Sequence, residues 1–429
     1  MSASEIERSG HDLGTVVSAA FERRVHPVEA LSAQAGAIAL ACRDSAARFH
    51  RGGRLLVFGN GAAATDSQHV AVEFVHPVIV GKRSLPATSL VADIATVLGI
   101  ATSRGFEAVF AHQIEVLGTP VDIALGISSD GECENVIRGL DAARTNGLLT
   151  IALLGGDGGR IATSGVADHC LIAASDDPRV VKECHVTIYH LLWELVHVFF
   201  DHPEVLGGSA EVPRAGVNLQ SLYPLLYQGA SAPEEVLESV AESSRQKVAE
   251  IVALRREVGV AIRDQMADCA TAMAAAFDSG ATLLAFGNGG SSTDAQDLVH
   301  TFSDPPDGTR ALPALGLTGD VAVLTALTND VGFDLVFARQ VQALGKAGDI
   351  AFGISTSGGS DNVLSAFDQA KKLGMLTVGL SGYDGGRMAQ LGSLDQLIIV
   401  PSSSVHRVQE VQTTIYHVLW ETVQACLSR

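Results

Sequence analysis

Phe58-Gly59-Asn60-Gly61-Ala62-Ala63-Ala64-Thr65-Asp66-Ser67-Gln68-His69-Val70-Ala71-Val72-Glu73-Phe74 returns later as Phe286-Gly287-Asn288-Gly289-Gly290-Ser291-Ser292-Thr293-Asp294-Ala295-Gln296-Asp297-Leu298-Val299-His300-Thr301-Phe302. Each copy follows a short apolar run, Arg54-Leu55-Leu56-Val57 in the first and Thr282-Leu283-Leu284-Ala285 in the second. A buried strand, a glycine turn and a helix opening toward a ligand are what such a stretch encodes. The copies agree in their turns and differ where chemistry would sit. His69 and Glu73 in the first are replaced by Asp297 and Thr301 in the second.

The repeat extends along the whole chain. Gly59 and Gly287 are 228 positions apart, His190 and His417 are 227 apart, and one single-residue length change accounts for the difference. Arg104-Gly105-Phe106-Glu107-Ala108-Val109-Phe110 is echoed by Val331-Gly332-Phe333-Asp334-Leu335-Val336-Phe337. Thr187-Ile188-Tyr189-His190-Leu191-Leu192-Trp193-Glu194 is echoed by Thr414-Ile415-Tyr416-His417-Val418-Leu419-Trp420-Glu421. The chain is a tandem duplication. Within the first copy, helical material over 12–50 precedes strands near 54–58, 86–90, 122–127, 148–153 and 168–173, with helices between and a last long helix over 178–200. Alternation of this kind predicts an α/β fold, a parallel sheet with helices on both faces, twice over. The expected domains are 1–200 and 232–429. Residues 201–231, rich in proline and glycine and without a counterpart in the repeat, read as the linker.

Bulk properties narrow the function. A chain of 429 residues, 47% hydrophobic and 18% charged, encodes well-cored globular domains. The net charge of −19 argues against a nucleic-acid surface but not against a small anion held by backbone amides. The acidic start, Met1-Ser2-Ala3-Ser4-Glu5-Ile6-Glu7, has no signal-peptide core, and no uncharged run reaches the ~18 residues of a membrane helix. Six scattered cysteines form no metal-binding spacing and read as reduced thiols. A cytoplasmic location without membrane contact is the expectation.

Two constellations carry chemistry. Ile354-Ser355-Thr356-Ser357-Gly358-Gly359-Ser360-Asp361-Asn362 joins a strand to a helix. Hydroxyls and backbone N–H groups at a helix start cradle a phosphate without Lys or Arg, although an ordinary Ser/Gly turn has the same look. The first copy has Ile127-Ser128-Ser129-Asp130-Gly131-Glu132-Cys133-Glu134-Asn135 there. Carboxylates beside a bound phosphate are costly, so that loop reads as disabled. His69 and Glu73, four apart, share one helix face and suit a metal site, an acid/base pair or a solvated pair. His190 and His417 lie in apolar helices, where a lone His is commonly a satisfied core residue. Gln409 lies two turns before His417 on the same face, and Lys182 is its first-copy counterpart.

Gly287-Asn288-Gly289-Gly290-Ser291, Thr328-Asn329-Asp330-Val331-Gly332-Phe333, Ser355-Thr356-Ser357-Gly358 and Gln409 with His417 together resemble the sedoheptulose 7-phosphate (phosphoheptose) isomerases, a group of SIS-domain proteins. The resemblance covers nearly all of both copies outside the linker. It implies two tandem SIS domains, each Rossmann-like and of flavodoxin-like type. It implies phosphate and sugar contacts from Asn288, Gly289, Ser291, Asn329, Asp330, Ser355, Thr356, Ser357 and Ser360. It implies zinc (Zn2+) on His69, Glu73, Gln409 and His417, with Glu73 and His417 as the proton-transfer pair and Gln409 also touching substrate. The first copy departs from the family at Ala62-Ala63, Thr102-Ser103, Asp130 and Lys182, and the second at Asp297 and Thr301. The losses are complementary, so a single composite inter-domain site is expected, its mirror built from Asp297, Thr301, Lys182 and His190 being dead. The implied activity is aldose–ketose isomerisation of sedoheptulose 7-phosphate through an enediol. The alternatives are a non-catalytic sugar-phosphate-sensing or protein-docking module, and an isomerase of another sugar phosphate. A homodimer forming a pseudo-tetramer of SIS domains is the expected assembly.

Overall fold

In the computed structural model the protein is described at residues 13–79, 81–202, 205–206 and 233–428. Most of the stretch read as the linker, including 207–231, lies outside the described residues. The chain divides into two compact units. The first comprises residues 26–252, and the second comprises residues up to 25 together with 253 onward.

The first unit runs α2 (Val25–Glu29), α3 (Ala35–His50), β1 (Leu55–Gly59), α4 (Ala62–Val75), β2 (Ala87–Ser89), α5 (Ile94–Arg104), α6 (Val109–Leu117), β3 (Ile123–Ser128), α7 (Glu134–Thr145), β4 (Leu149–Gly155), α8 (Gly159–Ser164), β5 (His169–Ala173) and α9 (Pro178–Phe200), preceded in the chain by α1 (Leu13–Glu22). The long α10 (Pro233–Ala261) changes unit at residues 252 and 253. The second unit continues with α11 (Arg263–Asp278), β6 (Leu283–Gly287), α12 (Gly290–Ser303), β7 (Ala314–Gly316), α13 (Val321–Val331), α14 (Val336–Leu344), β8 (Ile350–Ser355), α15 (Asp361–Leu373), β9 (Leu376–Gly382), β10 (Gln396–Val400) and α16 (Val405–Leu427).

Each unit holds a five-stranded sheet, in the order β2-β1-β3-β4-β5 and β10-β9-β8-β6-β7, and every pairing is parallel. The two orders are the same topology, as the alternating strands and helices require. Strands β1, β3 and β4 are buried at every residue because helices cover both faces of a parallel sheet. Close approach of helix to sheet selects Gly139, where an added Cβ would stand 2.8 Å from the Phe58 ring. Helix α9 opens on Asp177, whose carboxylate accepts the Arg179 N–H, with Pro178 in the first turn.

Each unit takes in the opening helical segment of the other copy, residues 233–252 in the first unit and α1 in the second. The core of the second unit includes α1, which packs on α11 and α16. Arg24 is fully buried there and donates to Ala20 O at 2.6 Å and to Glu421 Oε1 at 2.8 Å. Gly259 admits the Phe21 ring so closely that a Cβ would lie 2.7 Å from it. Among the described residues no helix is long and apolar enough to cross a membrane.

Candidate active site

In a 2-1-3-4-5 sheet the connections after β1 and β3 leave in opposite directions, opening a crevice at the strands' carboxyl ends where ligands bind. Both units close the two sides of that crevice onto each other with an amide pair. Asn60 donates to Asn135 at 2.7 Å and receives its amide at 2.9 Å. Asn288 and Asn362 do the same at 2.8 and 2.9 Å. The turns before α4 and α12 reverse at Gly61 and Gly289, with φ of 57° and 55°, values that favour glycine.

In the first unit α4 packs on α9. This brings His69, Glu73 and His190 into one buried cluster, with a ligand atom from each within 4.8 Å of the others. His69 Nε2 lies 3.6 Å from Glu73 Oε1, and the two imidazole centroids are 5.4 Å apart. All three side chains are at most 2% exposed. His69 Nε2 has no hydrogen-bond partner among the described residues, and a buried imidazole nitrogen left so loses its hydration for nothing. Two imidazoles and a carboxylate fit a divalent metal of the zinc type, and three protein ligands leave a position open for water or substrate, as catalytic zinc sites do. Sequence reasoning placed His190 in a different set, with Asp297. The signal that locates it is structural, the packing of α4 against α9.

Lys182 lies two turns before His190 on α9. Its ammonium donates to Asp66 Oδ1 at 2.6 Å, Thr65 Oγ1 at 3.0 Å and Ala62 O at 3.3 Å. A charged amine has no lone pair for a metal, and here it donates to residues in the first two turns of α4.

The second unit gathers the counterparts. Asp297, fully buried, accepts the Tyr416 hydroxyl at 2.7 Å and His417 Nε2–H at 3.2 Å through the same oxygen. Burial, with the Asp297 charge beside it, raises the Tyr416 phenol well above its ordinary range. Gln409 is buried at 3% exposure, and its Oε1 finds no hydrogen-bond partner among the described residues. Thr301 is half-buried. Thus His69 and Glu73 stand with His190 in one unit, and Gln409 and His417 stand with Asp297 in the other.

The loop after β8 gathers hydroxyls and backbone amides in a tight bend. Ser355 and Ser360 hydroxyls meet at 3.1 Å, Ser357 Oγ accepts the Gly359 N–H at 3.2 Å, and Thr356 O accepts the Gly382 N–H at 3.0 Å. Ser357 is exposed and Thr356 half-buried at the mouth. Gly358 turns the loop at φ 62°, and a Cβ there would stand 2.0 Å from Gly385 O. Gly358→Ala should therefore cost about 2 kcal/mol or more, the left-handed penalty plus a backbone displacement. A drop of several degrees in Tm together with loss of phosphosugar binding is the expected outcome, and an unchanged Tm contradicts it. Ser291 is buried at the start of α12, whereas Asn329 and Asp330, joined at 2.8 Å, stand exposed on α13.

Two doubly wound parallel sheets, one in each unit, define the class, a tandem α/β protein. Comparison with known proteins gives the family. The SIS domain matches residues 21–155 and again 248–382, more than half of the chain. The chain belongs to the SIS-domain family and carries two copies of the domain. A phosphoheptose isomerase of Pelobacter propionicus is 46% identical over 166 residues, 38% of this chain and 85% of that one. One from Aquifex aeolicus is 44% identical over 164 residues, 37% and 83% of the respective chains. Over nearly the full length, the fold is similar to the C-terminal domain of glucosamine-fructose-6-phosphate aminotransferase from Francisella tularensis. That likeness has a TM-score of 0.55 at 9% identity and covers 93% of this chain and 94% of that one.

Proposed function

We propose that the protein is an aldose–ketose isomerase of a sugar phosphate, with sedoheptulose 7-phosphate as its substrate and a heptose 7-phosphate as product. The observation that carries this reading is the division of equipment between the copies. The His69, Glu73 and His190 cluster belongs to the first, and the Ser355–Ser360 cradle belongs to the second. The similarity to phosphoheptose isomerases supports the substrate.

The phosphate of the ring-opened sugar is anchored by the hydroxyls of Ser355, Thr356, Ser357 and Ser360 and by N–H groups at the start of α15. Asn288, with the Gly289 turn and Ser291 beside it, orients the sugar hydroxyls, as do Asn329 and Asp330. Glu73 takes the proton α to the carbonyl, giving a cis-enediol, and returns it to the neighbouring carbon. His417, its tautomer fixed by the Asp297 carboxylate, moves the proton between the two oxygens. Zinc held on His69, Glu73 and His190 would supply Lewis acidity toward the carbonyl.

The test is incubation of the purified chain with zinc and sedoheptulose 7-phosphate, followed by NMR of the sugar. An aldose heptose phosphate is expected. If no isomer forms, the non-catalytic sensing module is the better reading.

Exposed apolar surface supports a homodimer as the assembly. Helix α13 buries none of its residues, and Val321 and the following Phe333 are 71% and 52% exposed. Ile94, Leu98 and Phe106 repeat the pattern in the first unit at 64%, 58% and 56%. Two matching apolar faces left in water by one chain call for a second chain. Light scattering should give twice the 44.6 kDa chain mass, and a monomer at micromolar concentration contradicts this.

A further inference from the structure

The first unit's 128–135 loop and the second unit's 355–362 loop share one backbone frame. A Cβ on Gly131 would strike Gly158 O at 2.0 Å, as one on Gly358 would strike Gly385 O at 2.0 Å. What differs is the side chains. Asp130 stands where the second loop has Ser357, and Glu132 where it has Gly359. Asp130 Oδ1 accepts the Ser128 hydroxyl at 3.0 Å and the Glu132 N–H at 2.9 Å. Glu132 Oε1 accepts the backbone N–H of Arg160 at 2.9 Å, a reach for which Gly359 has no side chain.

These donors are hydroxyl and amide groups of the kind a phosphate would take in such a frame. We propose that Asp130 and Glu132 act as a built-in anion, taking the hydrogen bonds of the first unit's phosphate position so that the chain accepts one phosphosugar, on the second unit alone. A tethered carboxylate meets its donors at an effective concentration no free ligand matches, and an arriving phosphate dianion is repelled by two negative charges. The unit with the metal cluster is thereby closed to a phosphosugar of its own, which leaves a single orientation for substrate. This inference rests on the reading of residues 355–360 as the phosphate cradle.

Amide hydrogen exchange of the full-length chain with saturating sedoheptulose 7-phosphate tests it. In the wild type, slowed exchange is expected across 355–362 and none across 128–135. In D130S/E132G, which installs the residue types of positions 357 and 359, both loops should be protected and the calorimetric stoichiometry should double from one to two. Protection of 128–135 in the wild type, or a folded variant that still binds one ligand, overturns the inference while leaving the cradle reading intact. Absence of protection at 355–362 overturns both. Where the variant does not fold, protection of 128–135 in the wild type still overturns the inference.

Discussion

E73Q lowers kcat by about 10³-fold, within the range a positioned proton-transfer group contributes, and changes the affinity for sedoheptulose 7-phosphate little. Glu73 is 2% exposed and sits one helical turn from His69, with their polar atoms 3.6 Å apart. Glutamine keeps the volume and one oxygen donor for the metal but cannot take a proton. In the proposed mechanism phosphate anchoring falls to residues 355–360, which the substitution does not touch. Stopped-flow or coupled-assay kinetics, with metal content measured alongside, check the split. Near-normal kcat in metal-replete E73Q removes Glu73 from the proton transfer.

The second large effect separates the two histidines. H190A should lose the bound metal, from about one zinc per chain to nearly none, because a three-ligand site that loses one imidazole retains too few donors. H417A should keep its zinc, since His417 Nε2 is engaged with Asp297 and the clustered ligand atoms are those of His69, Glu73 and His190. Both variants should be inactive, for different reasons. Metal analysis of dialysed protein distinguishes them. Retention of zinc by H190A and its loss from H417A would restore the ligand set expected from sequence, with Gln409 and His417.

Much of the fold was legible before any coordinates. The five strands expected in the first copy lie within two residues of those observed. The long helix expected over 178–200 is α9, Pro178–Phe200. The duplication was plain because Gly-Asn-Gly and Tyr-His-x-x-x-Glu recur at nearly constant spacing. The partition of the chain was less visible. Helix α10 carries an unbroken helical pattern through the change of unit at 252 and 253. The Arg24–Glu421 hydrogen bond links residues 397 positions apart, which no local pattern reports.

The candidate site was legible in its parts and not in their grouping. Resemblance to a family supplies ligand types, but in a duplicated chain each type occurs twice, and only the packing of helices says which copies meet. His190 therefore joined His69 through the contact of α4 with α9, a relation absent from spacing. Asp130 read as a charge that a phosphate would avoid. That its oxygen also takes the loop's own donors needed the geometry.

The proposed isomerisation turns on proton transfer at a sugar carbon next to a carbonyl. Incubation of the zinc-loaded protein with sedoheptulose 7-phosphate in D2O, followed by proton NMR, tests it most directly. Deuterium is expected at C1 or C2 of the recovered sugar phosphates, with the label lost in E73Q. Sugar recovered unlabelled and unisomerised from active-site-saturating, metal-replete protein would contradict it.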